Sequence, residues 1–124
     1  MAKHILVVED DQPLRKALRD MLAKRGYRVS EAQDGEVGIA AAIDSHPDLI
    51  LLDLLMPRLD GLGMLQRLRQ EPWGKDLPVI ILTNVNDVGK VQEAVVNKAF
   101  DFLVKADWTL EQIAEKVREK IGNP

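Results

Sequence analysis

Reactive side chains stand at the ends of four apolar runs in this chain. Glu9 and Asp10 follow HILVV, Asp53 follows LILL, Thr83 closes VIILT and Lys105 closes FLVK. Three carboxylates in one place repel one another and call for a cation. Hard oxygen donors of this kind suit Mg²⁺, which usually keeps several waters and works beside phosphate groups. A hydroxyl and an ammonium are the donors an anionic group in the same place would need. Each residue alone has a plainer use: a lone acid is commonly a helix cap or solvated, Thr83 could cap a strand end, and Lys105 could be an exposed edge lysine. The chemistry depends on whether the fold brings the four places together.

The elements that would do so are legible. Five short runs rich in Val, Ile and Leu read as strands at 4–8, 28–32, 48–52, 79–83 and 100–105. Between them lie helical stripes, clearest in Leu14, Ala17, Leu18, Met21 and Leu22 and in Leu110, Ile113, Ala114, Val117 and Ile121, with weaker ones at 37–43, 62–68 and 88–95. Pro13 suits a first helical turn, Gly26 a helix end, and Thr109 to Gln112 a capping box. Alternating strands and helices predict a parallel sheet covered on both faces. The runs 4–8, 48–52 and 79–83 are continuously apolar, as central strands require, whereas YRVSEA alternates and FDFLVK mixes polar with apolar, as edges do. The resulting order is 2-1-3-4-5, a doubly wound α/β arrangement. Its ligand crevice opens beyond the carboxyl ends of strands 1 and 3, where Glu9, Asp10 and Asp53 fall.

Composition narrows the function. One domain over residues 1–124 suffices for this length. A net charge of −3 gives no footprint for nucleic acid. There is no cysteine, which excludes disulfides and thiolate chemistry and agrees with a cytoplasmic setting. No stretch approaches the ~20 apolar residues of a membrane span.

Together, Glu9-Asp10 after ILVV, Asp53 in LILLDLLMPRLDG, Thr83 in PVIILTN and Lys105 in FLVK resemble the receiver domain of two-component response regulators, over essentially the whole chain. The resemblance implies a flavodoxin-like fold and a phosphoryl group accepted on Asp53 from a sensor histidine kinase or a histidine phosphotransfer protein. It implies Mg²⁺ held by Asp10 and Asp53 directly, by Glu9 through water and by the backbone carbonyl of Leu55. Lys105 and Thr83 would bind the phosphoryl oxygens. Phe102 matches the family's switch aromatic, although a core phenylalanine would look the same. A downstream target protein would read the surface around residues 88–121. Catalytic turnover of an external substrate is not expected.

The chain departs from the family pattern in places. Ala106 stands where a proline is usual. A cis bond before a non-proline residue costs about 3–4 kcal/mol, so a trans peptide or visible strain is expected. Asn84 replaces a small residue, and Lys98 replaces a turn glycine whose role Asn97 could take. Leu55 and Val85 cannot orient an attacking water, which predicts a slowly lost phosphate. Arg15, Lys16, Arg19, Lys24 and Arg25 could help dock a kinase helix or simply be solvated. Asp11 reads as a helix-start acid, Gly61-Leu-Gly63 as a helix opening, and Trp73 and Trp108 as partly exposed packing. His4 and His46 have no ligand spacing. Two competing classes remain on the same sheet: an interaction module that works without phosphorylation, and a metal-dependent phosphatase, for which no separate general acid is evident.

Overall fold

A computed structural model describes residues 2–54, 56, 58–83, 92 and 101–124. Along the chain run β1 (His4–Val8), α1 (Gln12–Lys24), β2 (Arg28–Ala32), α2 (Gly35–Ser45), β3 (Leu49–Leu52), α3 (Gly61–Gln70), β4 (Val79–Thr83), β5 (Asp101–Val104) and α4 (Leu110–Ile121). Short 3₁₀ turns stand at Pro72–Gly74 and Lys105–Asp107. The strands form one parallel sheet in the order β2-β1-β3-β4-β5, the doubly wound arrangement that strand composition predicts.

Three strands begin and end where their apolar runs do. The exceptions have local causes. Asp48 stands outside β3 because it turns back on β1, its N–H donating to the His4 carbonyl at 2.7 Å and its carboxylate accepting the His4 N–H at 2.7 Å. Lys105 leaves β5 to open a 3₁₀ turn. The stripe expected at 88–95 lies outside the described residues, apart from Gln92.

Period-two alternation in the central strands divides the core into two layers. Leu6, Val8, Ile50, Leu52, Val79 and Ile81 face α2 and α3, meeting Ile39, Ala42, Leu62, Leu65 and Leu68. Ile5, Val7, Leu49, Leu51, Ile80 and Leu82 face α1 and α4, meeting Leu18, Leu22, Ile113, Ala114 and Val117. Each large side chain so buried stabilises the fold by roughly 1.5–3 kcal/mol. β1, β3 and β4 are buried throughout, whereas β2 and β5 are partly open, as edges should be.

Helix ends follow their capping residues. Asp11 caps α1 through the Leu14 N–H with Pro13 in the first turn, Asp60 caps α3, and Gly26 takes φ 104° just past α1. Thr109 and Gln112 form both bonds of a capping box at 2.8 and 3.1 Å. The starts of α1, α2, α3 and α4 are therefore fixed by side-chain caps at the carboxyl edge of the sheet.

Candidate functional site

Strand ends build the site. β1 and β3 pair through Val8 and Leu52, and the ladder runs one rung further as the Asp53 N–H donates to the Val8 carbonyl at 3.0 Å. On the other side of β1, the Glu9 N–H donates to the Ala32 carbonyl at 3.0 Å. Glu9 and Asp53 are thus held by sheet hydrogen bonds rather than by a free loop. Glu9, Asp10 and Asp53 each bring a carboxylate oxygen to within 4.8 Å of the others. Glu9 and Asp53 are buried and Asp10 is exposed, so the cluster opens to solvent on one side.

Lys105 reaches this cluster from the turn after β5. Its ammonium lies 3.2 Å from Asp53 Oδ2 and pairs closely with Glu9 Oε1. The second Glu9 oxygen accepts the Asp11 N–H at 3.1 Å. Burial pushes the Glu9 carboxyl up to about 7. Its hydrogen bonds to Lys105 and to the Asp11 N–H pull the other way, and the Asp53 charge adds to the rise. Burial works to lower the Lys105 ammonium, but the bond to Glu9 and the charge of Asp53 override it and hold it above its ordinary value. Among the described residues one ammonium thus pairs with two members of a group of three carboxylates. This hard-oxygen donor set, short of positive charge, fits Mg²⁺.

Thr83 ends β4 fully buried. Ile81 pairs with Leu52, so Asp53 and Thr83 both lie beyond that rung, on the same edge of the sheet. Phe102 is half-buried on β5 and packs against the α2/α3 layer of the core. The Lys105–Ala106 peptide is trans, the first of the two outcomes expected of Ala106. Leu55, Asn84, Val85, Asn97 and Lys98 lie outside the described residues.

Gly61 opens α3 as its sequence suggests, but the contacts made by Arg15, by the Asp34–Arg58 pair and by Gly61 with Asp53 escape sequence reading. Arg15, expected on a docking or solvated face, instead donates to the Glu9 carbonyl at 2.8 Å and to Glu31 at 3.1 Å, fixing the backbone beside the acids. Asp34, 1% exposed, caps α2 through the Val37 N–H at 2.9 Å and accepts from Arg58 at 2.7 Å. The Asp34-Gly pair before an apolar helix was a cap signal, but nothing local points to Arg58. Gly61 lies so close that a Cβ there would be 2.0 Å from the Asp53 carbonyl, so α3 starts directly against the backbone of Asp53.

The chain belongs to the response regulator receiver domain family, whose model matches residues 5–118. It is a receiver domain of the two-component signalling type, on a flavodoxin-like fold. It is 38% identical over 118 residues to the response regulator MprA of Mycobacterium sp. (strain KMS), covering 95% of this chain and 50% of that protein. The chain therefore spans about half the length of the curated relatives it matches. The chemotaxis protein CheY4 of Vibrio cholerae superposes with a TM-score of 0.89 at 26% identity, over 98% of this chain and 99% of that one. The receiver domain of the sensor histidine kinase PA1611 from Pseudomonas aeruginosa PAO1, solved with a magnesium ion coordinated in its active-site cleft, superposes with a TM-score of 0.87. It is 28% identical and covers 99% of this chain and 100% of that one. Among the described residues no helix is long and apolar enough to cross a membrane.

Proposed function

We propose that residues 1–124 form one receiver unit, a phosphorylation-dependent switch in which Asp53 accepts a phosphoryl group from the phosphohistidine of a sensor histidine kinase or a histidine phosphotransfer protein. The observation that carries this reading is the buried Asp53 carboxylate, 3.2 Å from the Lys105 ammonium and grouped with two further acids. In the transfer an Asp53 oxygen attacks phosphorus. The bond from phosphorus to the donor nitrogen breaks as the new P–O bond forms, and the donor ring, protonated on its other nitrogen, leaves as neutral imidazole. Such transfer is mostly positioning and electrostatics, which a rigid strand end supplies.

Mg²⁺, when bound, adds positive charge beside the phosphoryl oxygens. Asp10 and Asp53 would hold it directly, Glu9 through water, with the Leu55 carbonyl as a further donor. Lys105 and Thr83 bind the phosphoryl oxygens. The added charge of roughly −1.5 to −2 draws the Thr83 hydroxyl inward, and Phe102 on the adjacent strand follows. The altered surface is read by a downstream target protein. The unit works in the cytoplasm, with no contact of its own to nucleic acid or membrane, and it turns over no external substrate.

Incubation with acetyl phosphate and Mg²⁺ followed by intact-mass measurement tests this. One phosphoryl adduct is expected on the wild type and none on Asp53→Asn. A wild type that takes no adduct would instead support an interaction module independent of phosphorylation. Continuous phosphate release would point to an enzyme.

A further inference from the structure

The geometry points to Arg58 as a positioning residue for the proposed phosphoacceptor site, acting through Asp34 to set the loop that follows Asp53. This rests on the phosphoacceptor reading.

The loop between β3 and α3 is tied at its base, where the Gly61 N–H donates to the Leu54 carbonyl at 3.0 Å. That tie brings the loop back to the sheet without orienting its outer turn. The outer turn is held from outside by the start of α2. The Gly35 N–H donates to the Leu59 carbonyl at 3.0 Å, and Arg58 donates to Asp34 Oδ2 at 2.7 Å. A Cβ at Gly35 would lie 2.1 Å from the Leu59 oxygen, so the helix start and the loop are in direct backbone contact.

Two features of this contact go beyond ordinary loop packing. Arg58 sits at φ 63°, the left-handed region that glycine occupies without strain and a longer side chain does not. Its backbone is unfavourable there, so its guanidinium is the reason for an arginine. The ion pair is also one-sided: the Asp34 side chain is 1% exposed and that of Arg58 is 64% exposed. The Val37 N–H and the Arg58 guanidinium hold Asp34 below the ordinary carboxylate range. Truncating Arg58 leaves a buried carboxylate oxygen without this donor, and among the described residues the outer turn then keeps the Leu59 tie to the start of α2. The turn runs through Leu59 and Asp60 into Gly61, where a Cβ would lie 2.0 Å from the Asp53 carbonyl, so its setting governs how the start of α3 rests against the backbone of Asp53. Groups bonded directly to metal ligands typically change metal affinity 10–100-fold when removed, and Arg58, one contact further out, is expected at the lower end of that range.

The test uses Arg58→Gly, Arg58→Ala and Arg58→Lys. Arg58→Gly removes the guanidinium while relieving backbone strain, so its urea midpoint is expected to stay at or near that of the wild type. Its Mg²⁺ affinity by calorimetry is expected to fall about tenfold, its adduct formation with acetyl phosphate to slow, and its Gly35 amide to exchange faster. Arg58→Ala should lose Mg²⁺ affinity alike but, keeping a Cβ at a left-handed φ, should also lower the urea midpoint, and Arg58→Lys should recover part of the affinity. Asp34→Asn should add little in a double variant with Arg58→Gly. Wild-type Mg²⁺ affinity and Gly35 exchange in Arg58→Gly would overturn the assignment. So would losses that track stability with no recovery in Arg58→Lys. A wild type that forms no adduct would instead remove the phosphoacceptor reading, which separates the two failures.

Discussion

β1 carries a buried ionisable group at its first residue and another immediately past its last, and the two ends use burial differently. His4, 6% exposed, shares a 2.6 Å contact between its Nε2 and the Ser30 hydroxyl. Burial, aided by the positive charge of Arg28, lowers its pKa and keeps the ring neutral. Glu9, 2% exposed, is also pushed toward its neutral form by burial. It belongs, however, to a group of three acids answered by Lys105. Desolvation thus acts on both ends alike. A lone group settles it by becoming neutral, whereas a cluster of like charges fixed on paired strands cannot do so without holding protons or admitting a cation. Burial marks structure at one end, and burial with surplus charge marks chemistry at the other.

The contrast is broken most severely at Lys105. Lys105→Ala removes the cation that answers Glu9 and Asp53, and with it a proposed donor to the phosphoryl oxygens. Loss of one such donor typically slows reaction about 10²-fold, so adduct formation from acetyl phosphate should fall by that order. Mg²⁺ should bind more tightly, because the ammonium no longer competes for the same oxygens. Calorimetry beside intact-mass kinetics reads both, and unchanged Mg²⁺ affinity would show that Lys105 does not offset the acids. Asp10→Asn sharpens the contrast from the other side. Removing one of three repelling carboxylates should raise the urea midpoint of the metal-free protein while weakening Mg²⁺ binding more than tenfold, the trade expected where function stores repulsion. A fall in the metal-free midpoint would argue that the acids do not repel.

Legibility in the sequence follows the same division. The sheet order could be read because continuous apolar runs and alternating ones differ in composition, and the acids could be placed because they end those runs. His4 was harder to read. It heads an apolar run, and only the partners Ser30 and Asp48, from neighbouring segments, show why a polar ring is buried there. Arg15 has the sequence setting of any charge on a helix face, and only the tertiary structure brings its guanidinium to the Glu9 carbonyl. The Asp34–Arg58 pair spans 24 residues between two polar loops, and no periodicity encodes it. Apolar patterning therefore reveals where strands end, whereas the polar contacts that hold loops against those ends arise only from the tertiary structure.

The smallest effect is expected at the quiet end of β1. His4 has an ordinary value of 6.5, and its folded value lies below it. Between those two values the unfolded chain binds more protons than the folded one, so stability rises with pH across that window. It is lost as pH falls from about 6.5 through the folded value, with no further His4 contribution once pH is below both. Urea unfolding of the wild type and of His4→Gln, compared from pH 7.5 to 5, should therefore show the wild type losing a small part of its stability relative to the variant as pH falls. Glu9, pushed up to about 7, titrates in the same window with the opposite sign in both proteins. Mg²⁺ affinity at fixed pH should stay the same, because residue 4 lies at the opposite end of the strand from the acids. A change in that affinity would mean that the two ends of β1 are coupled through the strand, and the contrast between them would fail.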